Sequence, residues 1–316
     1  MLRYAVRRIP SAALVLLVAS VLVFIVPRLA EGDAADVLAG PDASQATRDA
    51  VRQDLGLDRS PVVQYAIWLR GLVTGDLGTS YIRKQPAAEA MGAALGQTVT
   101  LTAGALLVAL VLGGVAGILL GAGSNRILTR TVGALVSLAF AIPPYVSGVL
   151  LVLLFAVSMR LLPSSGYQPI YDDPDIAVQY LLMPALCLGL PAAAVIARFL
   201  STSVRQVLDE EFVLTGVAKG LRRGRLIRAH VVPNALPPVL TILGIQVGQL
   251  LGGAIVVEAI FGWHGIGDLL VNSVLSRDYV LVQDLLLFAV AVFVVVQTLT
   301  DLAHAAVDPR VRLETG

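Results

Sequence analysis

Six stretches free of Asp, Glu, Lys and Arg punctuate the 316-residue chain, at 9–27, 90–125, 131–159, 176–197, 229–257 and 285–300. A helix needs about 20 apolar residues to cross the hydrocarbon of a bilayer, and there the backbone can satisfy its own polar groups only as a helix or a closed barrel. The sixth run holds 16 residues and must borrow from its flanks. The expected fold is an all-α membrane protein with six transmembrane helices. With 57% hydrophobic and 14% charged residues, the chain is far less charged than a soluble domain, where the charged share is about 25%. Its net charge of +1, with no basic run interleaved with aromatics, gives nucleic acid no footprint.

The basic start, MLRYAVRR, and the apolar run behind it have the grammar of a secretory leader. However, residues 11–26 exceed the roughly 7–15 residues of a leader's apolar region, and no small-residue cleavage site follows at once. An uncleaved anchor is expected. With the N-terminus inside, the cytoplasmic side holds Arg3, Arg7, Arg8, Arg126, Arg130, Arg198, the six bases between Arg205 and Arg228, Arg310 and Arg312, fourteen of the twenty-three Lys and Arg. Seven of the other nine lie in or beside one long outer loop, and long loops carry little weight in setting orientation. Both termini are therefore expected in the cytoplasm.

The segment 30–95 is the sizeable water-exposed part. A helix is expected at 44–52, and another from about Pro61 that sets Tyr65, Trp68 and Leu72 on one face, followed by a glycine-punctuated turn. A simple tether is the alternative.

The spans themselves are irregular. Pro143 and Pro144 must kink or interrupt the third, and Pro184, Gly189 and Pro191 mark the fourth. Such breaks are tolerated where a cavity or a neighbour satisfies the freed carbonyls, so they point to a pathway or to ordinary kinks in a packed bundle. Gly244, Gly248 and Gly252 form a small-residue ridge on the fifth span, and Gln246 and Gln249 are expected to face a cavity or a partner helix. Glu258 closes that span at the outer side. Cys187 has no partner for a disulfide and reads as a small buried hydrophobe.

The charged interruption 205–238 carries six bases (Arg205, Lys219, Arg222, Arg223, Arg225, Arg228) and three acids (Asp209, Glu210, Glu211). Charge alone is accounted for by the positive-inside rule. The spacing asks for more. Val204, Leu208 and Phe212 form an apolar helical stripe, Gly216 and Gly220 leave a smooth patch, and Lys219-Gly220 reads as a helix end. A second short helix follows over 221–229, stopped by Pro233 and the Pro237-Pro238 pair. Two short helices at an angle are expected just outside the bilayer.

No residue set for chemistry is visible. The chain lacks GxxxxGK[ST], HExxH and GxSxG, its histidines (His230, His264, His304) are scattered, and GWHGIG follows no strand. Catalytic and metal-binding residues are accordingly expected to be absent. A secondary transporter would bury coupling carboxylates within its spans, and Glu258, Asp284 and Asp301 are instead expected at span ends.

Five blocks in order, GLDRSPVVQYAIWLRGLVTGDLGTSY, LLPSSGY, EFVLTGVAKGL…HVVPNALPPV, VVEAIFGWHGIGDLLVNSVLSRDYVLVQ and VDPRVRL, resemble the B-type permease subunit of the dipeptide, oligopeptide and nickel ABC importers. The resemblance implies a type I importer permease in a bacterial-type cytoplasmic membrane. It implies a homologous second permease, two ATP-binding subunits that hold ATP and Mg, and an extracytoplasmic substrate-binding protein as partners, with no cofactor in this chain. It divides the chain into 1–29 (the cytoplasmic end and first span), 30–95 (extracytoplasmic), 96–307 (the permease core, with a coupling loop at 201–236) and 308–316 (a cytoplasmic tail). It places Glu211, Lys219, Gly220, Leu221, Arg222, Arg223 and Pro233 in the ATPase-coupling loop, and leaves Pro143, Pro144, Gln246, Gln249 and Glu258 as candidates for pathway or gate. Peptides are the expected cargo, with nickel chelate, glutathione or haem as alternatives. Three positions depart from the family pattern: His264 and Val280 stand where proline is usual, and Leu214 stands where the name-giving acid of the loop is expected.

Overall fold

The computed structural model describes residues 2–29 and 33–307. The tail 308–316, with Arg310, Arg312 and all but the first residue of VDPRVRL, lies outside the described residues, as do the side chains of Arg3, Arg7, Arg8, Asp301 and His304. In chain order the helices are α1 (Leu2–Ile25), α2 (Ala34–Ala39), α3 (Gln45–Asp54), α4 (Pro61–Thr74), α5 (Ala87–Ala122), α6 (Arg126–Ala141), α7 (Pro144–Leu151), α8 (Pro174–Leu208), α9 (Glu211–Ala218), α10 (Arg223–Leu226), α11 (Val232–Phe261), α12 (Ile266–Leu275) and α13 (Tyr279–Val307). Five segments are single helices long and apolar enough to cross a bilayer: Pro10–Leu29, Ala87–Ala122, Pro174–Leu208, Ile242–Phe261 and Tyr279–Thr298. The third apolar run is a bent pair: α6 and the helix over Pro144–Ser158 meet at 109°, the geometry of a broken span or a re-entrant loop.

That break is where the proline pair placed it. Ile142 N still donates to Leu138 O, but the chain turns extended at Ile142, Pro143 caps the next helix and Pro144 takes its first position, where a missing N–H costs nothing. Pro184 and Pro191 act differently. α8 runs through both as one element of 35 residues, and its flanks are so well packed that the kinks expected there do not interrupt it.

The chain forms two compact units. The first covers 98–263 and the part of α13 from Val296 onward. Its centre is α8, packed by α11, α6 and α7. Met183, Cys187, Leu188, Ile196, Leu200 and Val204 of α8 join Leu101, Ala105 and Ala109 of α5 and Leu250, Ala254, Val257 and Phe261 of α11 in one buried cluster. Close approach of α5 to α8 depends on glycine. A Cβ at Gly113 would sit 2.9 Å from Ile196 Cβ, at Gly117 2.8 Å from Leu200 Cβ, and at Gly121 2.7 Å from Val204 Cβ. These three glycines, each four residues from the next, are the small-residue ridge of the fold. On α11, Gly248 closely approaches Val296 and Gly253 approaches Leu188, while Gly252 faces open space within this chain.

The second unit covers residues 2–97 and 264–295. Three helices occupy the water-exposed segment, one more than expected. α2 is the addition, although its signal is present: Asp33 and Asp36 cap each other's backbone N–H groups in a reciprocal box. α3 starts at Ser44, whose side chain accepts from Thr47 N, and α4 starts at Pro61 and ends at the left-handed Gly75. Two of the three residues of the face expected on α4, Tyr65 and Trp68, do meet on one side of it. Phe24, Tyr65 and Trp68 form a ring cluster with centroids 5.2–6.1 Å apart. In the same unit, Ala87, Ala90 and Met91 of α5 pack with Ile266 and Leu269 of α12 and Leu281 and Leu285 of α13. α12 is likewise an unexpected element, within the long block between Glu258 and Asp284. By contrast α1 leaves Leu14, Leu17, Val18 and Leu22 more than half exposed, the surface a span offers to lipid.

Candidate functional site

The charged interruption folds as two short helices at an angle, with different joints from those expected. Val204 and Leu208 end α8, the chain turns at Asp209-Glu210, and Phe212 opens a separate helix with its ring exposed. The single stripe through these three residues is therefore broken, because α8 stops at the acids 209 and 210 in a turn where Asp209 N and Glu210 N bond back to Gln206 O and Val207 O. α9 buries Val213 and Gly216 instead.

The smooth patch at Gly216 is filled from within: a Cβ there would lie 2.8 Å from Leu226 Cδ1 of α10, so this glycine sets how closely the elbow closes on itself. Gly220 has another duty. It takes φ +75° just past α9, and a Cβ added there would meet nothing within 4 Å, so conformation and not space demands glycine. The second helix does not stop at the prolines. α10, a wide turn of π type over Ile227–Val231 and α11 are continuous, and Pro233, Pro237 and Pro238 all lie inside α11. Proline removes an N–H and crowds the preceding turn; a locally widened turn absorbs both.

The elbow is strapped to the neighbouring helix end. Arg223 donates to Ala122 O and Arg205 donates to Leu120 O, each at 2.9 Å. Both acceptors belong to the last turn of α5, where carbonyls lack helical partners and the helix dipole favours a cation. Ser203 Oγ donates to Ala235 O at 2.8 Å and ties α8 to the start of α11. Outside these ties Glu211, Lys219, Gly220, Arg222, Arg225 and Arg228 remain exposed, and Leu221 is half-buried against Gly216. Pro233 lies exposed on the first turn of α11. The result is a basic, solvent-facing knob whose inner side, Val213, Gly216 and Leu226, is buried.

The residues expected along a pathway are spread over two places on α11. Gln246 is buried and donates to the Oε1 of Gln249 at 3.0 Å. Glu258, roughly 18 Å further along the helix at 1.5 Å per residue, is fully buried and accepts from Thr98 Oγ1 of α5 at 2.6 Å. In the same unit, Gly148 of α7 packs against Cys187 and Phe261, and the Cys187 thiol donates to Pro144 O at 3.0 Å. Cys187 is thus buried as expected, with a hydrogen bond added. The helix that Pro143 and Pro144 open is packed on α8 and α11, and Gln246 and Gln249 are not brought to Glu258.

In the second unit, Asp284 is not at a span end. α13 begins at Tyr279, so Asp284 lies inside the span, 2% exposed, with Oδ1 accepting from Trp68 Nε1 at 2.7 Å. Its Oδ2 is buried with no hydrogen-bond partner among the described residues. The difference has a plain cause: charge marks the expected limits of a span, and a carboxylate held by an indole can sit within one. Asp278, also buried, accepts from Ser80 Oγ and caps α13. A Trp or Ser some 200 positions away in sequence leaves no local signal for either contact.

Among the described residues no group of three or more His, Cys, Asp or Glu could hold a metal ion.

Residues 113–313 match the family of binding-protein-dependent transport system inner membrane components, and residues 1–102 match the N-terminal part of the same membrane components. The chain belongs to this family. Relatives run the full length: a putative peptide permease protein of Brucella suis is 35% identical over 99% of this chain and all of its own. The glutathione transport system permease protein GsiC is 36% identical in Escherichia coli and 38% in Pectobacterium atrosepticum, each over 99% of both chains. The fold is shared with the inward-facing MetNI methionine ABC transporter at a TM-score of 0.52 and 21% identity, covering 69% of this permease and 96% of that chain. An amino acid ABC transporter crystallised with histidines matches at 0.52 and 16%, over 68% and 92%. The permease is a multi-pass protein of the inner membrane and a subunit of an ABC importer.

Proposed function

We propose that this permease forms half of the translocation pathway of an ATP-driven importer of short peptides or peptide-like solutes such as glutathione, and that the elbow of α9 and α10 is the part its ATPase subunit grips. The observation that carries the reading is the elbow itself: an exposed basic knob, closed on Gly216, strapped to α5 by Arg223 beside the matching bond from Arg205 of α8, and continuous with α11. A site that must transmit force to a span needs that stiffness, and a passive loop obeying a charge rule does not. The names of the full-length relatives support peptide or glutathione as cargo. In this reading both termini lie in the cytoplasm, a homologous permease completes the pathway, two ATP-binding subunits supply hydrolysis, and a binding protein delivers solute from outside. Glu211, Lys219, Gly220, Leu221, Arg222, Arg223 and Pro233 serve the coupling loop.

ATP would draw the two ATPases together, the elbows would follow, and the spans would rock between inward- and outward-open states. This chain would perform no chemistry of its own; Mg and ATP belong to the partner. The break at Pro143-Pro144 and the buried Glu258 are the elements we assign to the outer part of the pathway.

The test is reconstitution of the whole importer in proteoliposomes. Cysteine at Lys219 should crosslink to an ATPase subunit, and uptake of peptide should require ATP and every subunit. Uptake by this chain alone, driven by a proton or sodium gradient, would overturn the assignment.

A further inference from the structure

The second unit contains a cavity of about 350 Å³ that the coupling mechanism does not use, between the loop joining α3 to α4, the face of α4 and the first turn of α13. The size falls at the small end of the range for ligand sites, roughly 300–1,000 Å³. Its walls combine Trp68 with charges of both signs: Arg28 and Arg59, Asp54 and Asp76. Among the described residues none of these four is ion-paired with another, and all the described ion pairs are those of Arg52.

Arg28 is the unusual member. It is half-buried at the end of the first span, its guanidinium lies 3.6 Å from the centre of the Phe24 ring and 5.2 Å from that of Tyr279, and no carboxylate among the described residues pairs with it. A guanidinium has five N–H donors. Phe24 O takes one at 2.7 Å and Gln64 Oε1 another at 3.2 Å, which leaves donors for a ligand in a setting already partly cleared of water. Gln64 in turn donates to Leu57 O and Arg59 O, so the loop bearing Arg59 and the side chain of Arg28 are held by one amide. Fully buried arginines are almost always paired; half-buried Arg28 has no carboxylate partner among the described residues, while Asp54 and Asp76 line the same cavity.

We propose that this cavity binds a short unblocked peptide, its carboxylate toward Arg28 and Arg59 and its ammonium toward Asp54 and Asp76, as a holding site ahead of the pathway. The proposal rests on the peptide-importer reading above. Charges of both signs select a zwitterion over an anionic lipid headgroup, for which the two acids would be repulsive. Trp68 provides the apolar wall against which side chains of any sequence can lie, as a permease accepting many peptides requires.

The experiment is calorimetric titration of the full chain in phosphatidylcholine nanodiscs with trialanine. Saturable binding is expected, weakened tenfold or more by N-acetylation or C-amidation of the probe and by Arg59→Gln or Asp54→Asn. Both positions are exposed, so these variants keep the fold. Binding should also fall above about pH 8, where the peptide's α-amine loses its charge. No binding at millimolar trialanine, equal binding of the doubly blocked peptide, or unchanged affinity in both variants would overturn the site. Heat released only on adding phosphatidylglycerol would reassign it to lipid. Trialanine and glutathione uptake by the complete importer is measured in parallel: uptake without binding sinks this site alone, whereas failure to import either solute sinks the functional reading.

Discussion

At the scale of single residues, contacts that fix this permease are made by atoms with no room to spare. Gly117 is one. A methyl group there would sit 2.8 Å from Leu200 Cβ, which is backbone-anchored and cannot swing aside, so Gly117→Ala should cost about 1–3 kcal/mol, as overpacking does. Thermal unfolding in detergent should show it, with Gly114→Ala on the open side of the same helix as the silent control. Trp68 is another. Trp68→Phe keeps most of the ring but leaves the buried Asp284 without its donor, a loss of about 1–3 kcal/mol. Asp284→Asn, which still offers an oxygen to the indole, should retain most of the stability; equal damage from both would show that the carboxylate is needed for something beyond this bond. The glycines were legible as a spacing, since Gly113, Gly117 and Gly121 repeat every four residues. Trp68 and Asp284 were legible only as an aromatic on a face and an acid near a span, because their meeting depends on how the chain between positions 216 apart folds.

Among elements, the short helices α2 and α3 depend on a clasp. Arg52 of α3 donates to Asp33 at 2.6 Å and reaches Asp36 at 3.4 Å, joining α3 to the cap of α2. Partial burial raises the Asp33 pKa, but the hydrogen bond and charge of Arg52, with backbone donors at Asp36 and Ala35, outweigh it and hold the carboxyl below its usual 3.8. A lowered folded-state pKa means that the clasp contributes fully above the unfolded value and is lost as pH falls through the folded one. Amide exchange over 33–54 should therefore accelerate below about pH 4, and Arg52→Ala should produce the same acceleration at neutral pH. These helices were partly legible: Ser44 and Pro61 announced α3 and α4, while α2, of only six residues, hid behind an acid pair that a capping search finds. The elbow shows the limit from the other side. Its two helices and the turn at Gly220 followed from composition and spacing, but its joints did not. Proline after a short helix reads as a stop, and here a widened turn carried the helix through it.

For the molecule as a whole, the six apolar runs correspond to five long apolar helices and one bent pair, and the proline pair foretold where the bend falls; its 109°, at a helix packed on α8 and α11, was not legible. Gly220→Leu tests the transport reading at this scale. With φ at +75° and empty space around it, a leucine strains the backbone by about 1–3 kcal/mol without colliding with anything in this chain, so insertion and folding should survive. Uptake by the assembled importer should nevertheless fall at least tenfold while ATP hydrolysis continues, since the knob would no longer seat. Full transport by that variant would remove the elbow from the mechanism. From Arg223 to Phe261 the backbone is helical without interruption, up to about 58 Å at 1.5 Å per residue, longer than a bilayer is thick. If the elbow is gripped as proposed, no loop lies between the point of grip and Glu258, and a displacement at Arg223 is carried to Glu258 by helix alone.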